Sequence, residues 1–427
     1  MNKSIQTTLA FCLFLFSVQY THAQKANYDE AKVPKFDIVD VLSTTDGQKV
    51  NTVEAWEKIR RPEILDIFRQ QMYGTQPDTE VKVHYVVVKD IENAIPDLAD
   101  IKEVDMIFSN ANGRHSVRLT LFIPRKVSKP APMFLGLNFY GNHTANPNEN
   151  ISIHSSWVRD NANFHIFGNR ADEVSRGVRS SRWPVEYIVS QGYGLGLIYY
   201  GDIDPDFDDG FQNGLHPLFY KDGQTKPTSE EWGSIGIWSY GLSKALDYLG
   251  TDNDIDENKV IVFGHSRLGK TSLWAGVTDP RFAAAISNDS GCGGAALSKR
   301  EFGERVAVIN QNFPHWFNDN FIKYNNKESE LPFDQHMLIS LMAPRPVYIA
   351  SAEQDEWADP KGEYLSGYYA KPAYDLYGIP SLNDVTPPKV NEARFTPGVS
   401  YHKRSGKHDV TRYDWVQYIE FADRFVR

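Results

Sequence analysis

The sequence contains very little cysteine. Its 427 residues include only two, Cys12 and Cys292. Cys12 lies within an apolar N-terminal run, residues 9–18, which is too short to anchor a protein across a bilayer. If that run is removed during export, Cys292 remains alone and no internal disulfide can form. The fold must then be stabilised by its hydrophobic core, which a chain of about 400 residues is long enough to build.

The chain also lacks any stretch rich in basic residues, and its formal net charge is −10. We therefore expect no nucleic-acid partner. No other apolar run is long enough to cross a membrane, so we expect no membrane association after signal cleavage. Lys3, the apolar run and the small-residue ending at Ala23 predict a signal peptide over residues 1–23, and hence a periplasmic or secreted protein.

The first part of the predicted mature chain, residues 24 to about 130, indicates one helix followed by antiparallel strands. Asn51 and Glu54 resemble a capping box, which would open an amphipathic helix. Strands near 104–108 and 116–123 would then pair as a hairpin across a turn that contains glycine. This part carries no motif that points to a chemistry.

From about residue 131 the pattern alternates buried-type strands with helices. Strands are predicted at 132–139, 194–200, 260–263, 282–287 and 346–350, and helices at 235–249, 335–341 and 413–425. Such alternation is typical of a mostly parallel sheet with helices on both faces. We therefore predict a single α/β domain over residues 24–427, a three-layer sandwich whose ligand lies beyond the carboxyl ends of the strands.

The sequence around Ser266 predicts a sharp turn between a strand and a helix. Apolar Val260–Phe263 is typical of a buried strand, Gly264 ends it, and a helical pattern begins at Lys270. A serine on such a turn is a nucleophile elbow, although Leu268 stands where the usual G-x-S-x-G pattern has its last glycine. The alternative is that Ser266 is an ordinary helix N-cap.

A nucleophilic serine needs a base, and the base needs an orienting acid. Of the downstream histidines, His402 and His408 lie in the predicted last loop, and the neighbouring glycine favours His408 as the base. Asp289 and Asp355 each follow a predicted strand, so either carboxylate could face the histidine. The residues themselves do not decide between these two acids.

A long polar stretch, residues 202–213, is acidic. Its run Asp202-x-Asp204-x-Asp206 resembles the start of a calcium loop, but Phe207 stands where an EF-hand requires glycine. We interpret the run as a solvated rim and predict neither a metal ion nor a cofactor.

Four motifs resemble those of the glucuronoyl esterases, carbohydrate esterase family 15, in their bacterial form. They are Gly264-His265-Ser266-Arg267-Leu268-Gly269-Lys270, Asp289-Ser290-Gly291-Cys292-Gly293-Gly294, Gln354–Pro360 and Gly406-Lys407-His408. The first is similar to the family's G-x-S-R-x-G-K elbow, and the four occur in the family's order. The second departs from the pattern, because the family usually has Glu at the position of Asp289.

The resemblance implies an α/β-hydrolase fold, with an N-terminal β-hairpin region before the catalytic core. It implies a serine esterase that cleaves esters between 4-O-methyl-glucuronic acid on xylan and lignin alcohols. Ser266 would be the nucleophile, His408 the base, and Arg267 the source of oxyanion stabilisation through its amide and guanidinium. The residues implied to contact the uronate sugar are Lys270, Glu304 and Trp357.

We therefore expect a monomer that acts on glucuronoxylan or a lignin–carbohydrate ester. One alternative is another enzyme on the same fold, such as an acetyl xylan esterase or a prolyl-oligopeptidase-like hydrolase. A second alternative is a carbohydrate-binding protein on a hydrolase scaffold, which Ser266, His408 and the two acids together argue against.

Overall fold

A ten-stranded sheet runs through the structure, a computed structural model that describes residues 26–427. The strands are β1 (Lys82–Ile95), β2 (Ala99–Asn110), β3 (Gly113–Pro124), β4 (Ala131–Asn138), β5 (Gly194–Tyr199), β6 (Ile255–His265), β7 (Ala284–Asn288), β8 (Val347–Ala352), β9 (Glu392–Arg394) and β10 (Val399–Arg404). They lie in the order β1-β2-β3-β5-β4-β6-β7-β8-β10-β9. The predicted signal peptide, residues 1–23, falls outside the described residues.

The central strands of this order, from β5 to β10, run parallel to one another. The flanking pairs are antiparallel. The predicted hairpin is confirmed, because β2 pairs with β3 and Asn110 faces Gly113 across a short turn. Since β3 also pairs with β5, the antiparallel strands near the N-terminus extend the parallel sheet.

The helices flank this sheet. The first is continuous, with α1 (Val53–Ala55) and α2 (Arg61–Phe68) joined by the π-helical residues Trp56–Arg60 and followed by the π-helical residues Arg69–Tyr73. The others are α3 (Val185–Ser190), α4 (Tyr200–Ile203), α5 (Ser234–Leu249), α6 (Arg267–Thr278), α7 (Val306–Asn312), α8 (Gln335–Ser340), α9 (Pro360–Tyr369), α10 (Lys371–Leu376) and α11 (Arg412–Phe425). Among residues 26–427, no helix combines the length and apolar character that crossing a bilayer requires.

Two hydrophobic cores, one on each face of the sheet, give the three predicted layers. Strand β6 shows why, because successive side chains of a strand point to opposite faces. Val260 and Val262 face the larger core, which includes residues of α5, α6 and α8. Ile261 and Phe263 face the second core, against α3 and α11. A strand buried on both faces requires this continuous apolar run.

Two details of the predicted helices are wrong. The first helix is capped by Thr52 rather than by Asn51, because the Thr52 hydroxyl accepts a hydrogen bond from the Ala55 N–H at 3.1 Å. The helix after the elbow begins at Arg267, three residues before the predicted Lys270. The first helix thus begins one residue later than predicted, and the helix after the elbow begins earlier.

The interpretation of the acidic run as a solvated rim is also wrong. Asp202, Asp204 and Asp206 are each at most 5% exposed. Each carboxylate accepts a hydrogen bond from a different part of the fold, Asp202 from Ser156 and Asp204 from Ser234. Buried carboxylates need such partners, and the sequence spacing alone did not reveal them.

The buried carboxylate of Asp414, on α11, ties that helix to β10. It accepts hydrogen bonds from His402 Nε2 at 2.9 Å, Arg404 Nε at 2.8 Å and the Thr411 hydroxyl at 2.7 Å. Burial alone would raise the pKa of Asp414, but the bonds and charges of His402, Arg404 and Thr411 outweigh it and leave this pKa below its usual value. The network therefore stabilises the fold most when Asp414 is ionised.

We predict that Asp414→Ala lowers the free energy of unfolding by about 3–5 kcal/mol, because it leaves the buried Arg404 with only the longer carboxylate contact, to Asp289 at 3.4 Å. Glu420→Ala, on the exposed face of the same helix, is the control and should change stability by less than about 0.5 kcal/mol. Urea unfolding at pH 7 measures both. The contribution of Asp414 to the free energy of unfolding should be complete above the ordinary carboxyl pKa of about 4. It should disappear as the pH falls through the lower pKa that Asp414 has in the folded protein. A loss of less than about 1 kcal/mol for Asp414→Ala would contradict the assigned role.

Candidate active site

Ser266 lies on a strained turn between β6 and α6. Its backbone angles are φ 58° and ψ −129°, in a region that side-chain-bearing residues rarely adopt. Gly264 makes the turn possible, because a Cβ at that position would lie 1.8 Å from the carbonyl oxygen of Leu268. The Ser266 N–H donates to the carbonyl of Asn288 at 2.8 Å, which fixes the turn against β7. This geometry is that of a nucleophile elbow rather than of an ordinary helix N-cap.

A cavity of about 370 Å³ opens at the elbow. It brings together all the candidate site residues predicted from the sequence, which are Ser266, Arg267, Lys270, Asp289, Glu304, Asp355, Trp357 and His408. These side chains come from the turn after β6, the first turn of α6, and the loops that follow β7, β8 and β10. The site therefore lies beyond the carboxyl ends of the parallel strands, where ligands bind in open α/β sheets.

The base candidate His408 is paired with Asp355. The Nδ1–H of His408 donates to Asp355 Oδ2 at 2.6 Å, which leaves Nε2 as the nitrogen able to take a proton. The His408 side chain is 41% exposed, whereas the Asp355 side chain is only 6% exposed. The imidazole of His408 is thus exposed to the cavity, while the carboxylate that holds it is buried.

Asp289 lies next to this pair. Among residues 26–427, Asp289, Asp355 and His408 are the one group of histidine, cysteine or carboxylate side chains close enough together to hold a metal ion, with ligand atoms within 4.8 Å of one another. Burial, with the nearby carboxylates of Glu363 and Asp355, raises the pKa of Asp289 well above its usual value. Asp289 is therefore hard to ionise in this setting. The absence of a metal from the reaction stays a prediction.

Glu363, on α9, holds the loop that carries Asp289. Its carboxylate accepts from the backbone N–H groups of Ser290 at 2.7 Å and Gly291 at 2.9 Å, and from the Ser351 hydroxyl at 2.6 Å. Burial raises the pKa of Glu363 to about 8. Sequence reasoning missed this residue, because its partners are distant in the chain.

Buried charges line the other side of the cavity. Lys270 is 4% exposed, and its Nζ donates to the carbonyl of Ser290 at 2.5 Å. Burial lowers the pKa of Lys270 and raises that of Glu304, while the opposite charges of the two groups work against both shifts. Trp357 is 40% exposed at the edge of the cavity. A rigid cation, an acid and an aromatic ring thus face one space.

The guanidinium of Arg267 forms an ion pair with Asp206. Its Cζ lies 4.6 Å from the centre of the Trp316 ring and 5.1 Å from that of the Phe313 ring. These two rings are stacked, with their centres 3.7 Å apart. Arg267 is also the first residue of α6, where backbone N–H groups lack intrahelical partners. Both its amide and its side chain are therefore donors beside Ser266.

The alternative base His402 lies on β10, not in the predicted loop, and is fully buried. Its ring accepts from the Tyr348 hydroxyl at 2.8 Å and donates to Asp414 at 2.9 Å. His265 is also buried, and its Nδ1 lies 2.5 Å from Asn288 Oδ1. The His265 ring supports that of His408, with ring centres 4.4 Å apart.

Three arginines hold the loop of His408, a role that no sequence pattern indicated. Arg182 and Arg179, from a distant polar stretch, bind the carboxylate of Asp409, with Arg182 Nε at 2.8 Å. Arg404 donates to the carbonyl of Lys407 at 2.9 Å and to that of Asp409. Since His408 lies between these two anchored residues, its position is fixed from both sides.

The chain is similar to proteins of one esterase family. A family model described as glucuronyl esterase, fungi, matches residues 220–378. Carbohydrate esterase MZ0003, from an unknown prokaryotic organism, is 48% identical over 404 residues, which are 95% of this chain and 93% of that protein. This relative covers the N-terminal region as well as the four motifs.

Two solved structures match with similar completeness. A promiscuous CE15 esterase from a marine bacterial metagenome is 49% identical, with a TM-score of 0.88 over 93% of this chain and 99% of that chain. The glucuronoyl esterase from Solibacter usitatus is 44% identical, with a TM-score of 0.87 over 92% of this chain and 99% of that one. The likeness confirms the predicted α/β-hydrolase fold. With this identity and coverage, the chain belongs to carbohydrate esterase family 15, the glucuronoyl esterases.

Proposed function

We propose that the protein is an exported, monomeric serine esterase that acts on xylan, a polymer of the plant cell wall. It would hydrolyse the ester between (4-O-methyl-)glucuronic acid side chains and lignin alcohols through an acyl-enzyme on Ser266. The observation that carries the proposal is the single cavity that Ser266 shares with the His408–Asp355 pair and with Lys270 and Glu304. Export rests on the signal-peptide pattern of residues 1–23.

In the first half of the reaction, Ser266 Oγ attacks the ester carbonyl while His408 Nε2 takes the hydroxyl proton. Asp355 holds the tautomer with a proton on Nδ1 and stabilises the imidazolium that forms. The tetrahedral intermediate collapses, the alcohol leaves with the proton from Nε2, and Ser266 carries the glucuronoyl group. Water then attacks this ester with His408 again as the base, which frees the acid and restores Ser266.

The carbonyl oxygen gains a negative charge in each tetrahedral intermediate. The amide of Arg267 at the start of α6 and its guanidinium lie beside Ser266 and can donate to this oxygen. A preorganised donor of this kind contributes about 3–4 kcal/mol to the transition state. Arg267 therefore serves any ester that reaches Ser266, whatever its acid.

Preference for a uronate would come from the other residues of the cavity. Lys270 can donate to a sugar hydroxyl, Glu304 can accept from one, and the half-exposed Trp357 can cover a face of the ring. An acetyl group offers none of these partners. The buried charges thus favour a glucuronoyl esterase over an acetyl xylan esterase, and the Ser266–His408 pair disfavours a pure binding protein.

We predict that Ser266→Ala and His408→Ala each abolish esterase activity, at a cost on the order of 10⁶ in kcat for a triad serine. His402→Ala is the matched control, since its ring is buried in the β10 network, and folded protein should keep most of its kcat. Kinetics on one glucuronate ester, with circular dichroism to select folded protein, measure all three. A severe loss in His402→Ala with a mild one in His408→Ala would show that the base is wrongly assigned.

We predict that Lys270→Ala lowers kcat/KM for methyl glucuronate by about ten- to a hundredfold, the value of one charge-assisted hydrogen bond. Hydrolysis of a small aryl acetate should change little, because the acetate has no hydroxyl for Lys270. Lys270→Met, which keeps most of the side-chain volume, separates the lost donor from the new cavity. Equal losses on both esters would indicate that Lys270 supports the elbow instead of the sugar.

We predict that Asp355→Ala is at least as damaging as Asp289→Ala, and that neither alone reaches the loss of about 10⁴ in kcat expected for a sole acid. Two adjacent carboxylates resist ionising together, so removal of Asp355 should let Asp289 ionise and take the Nδ1–H of His408. The double variant should then fall below either single variant. Full loss in Asp289→Ala, with Asp355→Ala unaffected, would rule out this sharing.

A further inference from the structure

The carboxylate of Asp206 is fully buried next to the catalytic cavity and collects donors from three segments. Oδ1 accepts from His315 Nε2 at 3.0 Å and Trp316 Nε1 at 2.8 Å. Oδ2 accepts from the Tyr200 hydroxyl at 2.9 Å and forms the ion pair with Arg267. Both oxygens are therefore fixed before any substrate arrives.

Only one end of the Arg267 guanidinium is held by this carboxylate. Nη1 donates to Asp206, whereas Nε is buried and has no acceptor among residues 26–427. The rings of Trp316 and Phe313 fix the plane of the group from its face. Arg267 also lines the cavity that contains Ser266, so its guanidinium is held at the wall of that cavity.

We propose that Asp206 is a positioning residue for ester hydrolysis, because it anchors the Arg267 guanidinium at the wall of the cavity, where this group can donate to the oxyanion. This inference rests on the proposed function. An arginine has several rotatable bonds, and an unanchored guanidinium would also point to solvent. Fixing it in advance removes that reorganisation from the transition state, which is how a preorganised donor gains its effect.

The neighbouring acids of the same run do not share this role. Asp204 accepts from the Ser234 hydroxyl, and its backbone carbonyl accepts from Trp238 Nε1 at 2.9 Å. Arg159 approaches Asp206 too, but its Nη2 lies 3.8 Å from Oδ2 and donates at 3.0 Å to the backbone carbonyl. The side chain of Arg159 is 54% exposed, so it cannot replace the buried pair with Arg267.

A double-mutant cycle of Asp206→Asn and Arg267→Gln tests the proposal on methyl glucuronate. We expect Asp206→Asn to lower kcat by about ten- to a hundredfold with little change in KM, because the donor acts in the transition state. In the Arg267→Gln background the same substitution should cost nothing further. Asp204→Asn, a buried neighbour that does not touch Arg267, should keep kcat within about threefold.

An equal loss from Asp206→Asn in both backgrounds would overturn the proposal, as would an unchanged kcat. If Asp206→Asn does not fold, Tyr200→Phe tests the proposal instead, because it removes one hydrogen bond to Asp206 Oδ2 and keeps the ion pair with Arg267. Its kcat should fall about two- to fivefold only when Arg267 is present, since Asp206 loses one of its anchoring hydrogen bonds; no change in folded protein would refute the positioning role. If the wild type cleaves acetates but not glucuronates, the proposed function is wrong. The double-mutant cycle is then run on the acetate, where it still tests the role of Asp206.

Discussion

The strained turn at Ser266 depends on contacts from both of its sides. Because Gly264 has no side chain, the backbone there can lie against the carbonyl of Leu268. The carbonyl of Asn288, at the end of β7, accepts a hydrogen bond from the Ser266 N–H. The hydrogen bond to Asn288 exists only because β6 and β7 are neighbouring parallel strands that end at the same edge of the sheet. The packing of the sheet therefore fixes the turn, and the turn presents the Ser266 hydroxyl to the cavity. The other residues of the site surround this hydroxyl.

Around the hydroxyl, each functional side chain is anchored by one contact, and its remaining polar atoms stay available for the substrate. Asp355 fixes one nitrogen of His408, Asp206 holds one end of Arg267, and the carbonyl of Ser290 holds Lys270. The loops that carry these groups are held in turn by Glu363 and by the arginines around Asp409. Such pairing offsets the cost of burying charge and fixes direction, which suits a reaction whose transition state gains charge.

Much of the fold could be predicted from local patterns. The apolar run Val260–Phe263 and the hairpin turn at Asn110–Gly113 are set by neighbours in the chain, so the sequence alone located them. Short motifs also located the residues of the cavity, because strand ends in a parallel sheet meet at one edge. The burial of Asp206 was not predictable in this way, since its partners Tyr200, Arg267 and Trp316 are brought to it only by the folded sheet. The neighbouring glycine favoured His408 over His402, but the polar sequence did not reveal that His402 lies on strand β10 rather than in a loop.

The central claim is that the cavity selects glucuronate esters for attack by Ser266. The most direct test is a side-by-side measurement of kcat/KM for purified wild-type protein on methyl glucuronate, acetylated xylan and a proline amide. The account predicts that methyl glucuronate is cleaved with the highest kcat/KM, by at least about tenfold, the value of a charge-assisted hydrogen bond to the sugar. Faster cleavage of acetylated xylan or of the amide would contradict it.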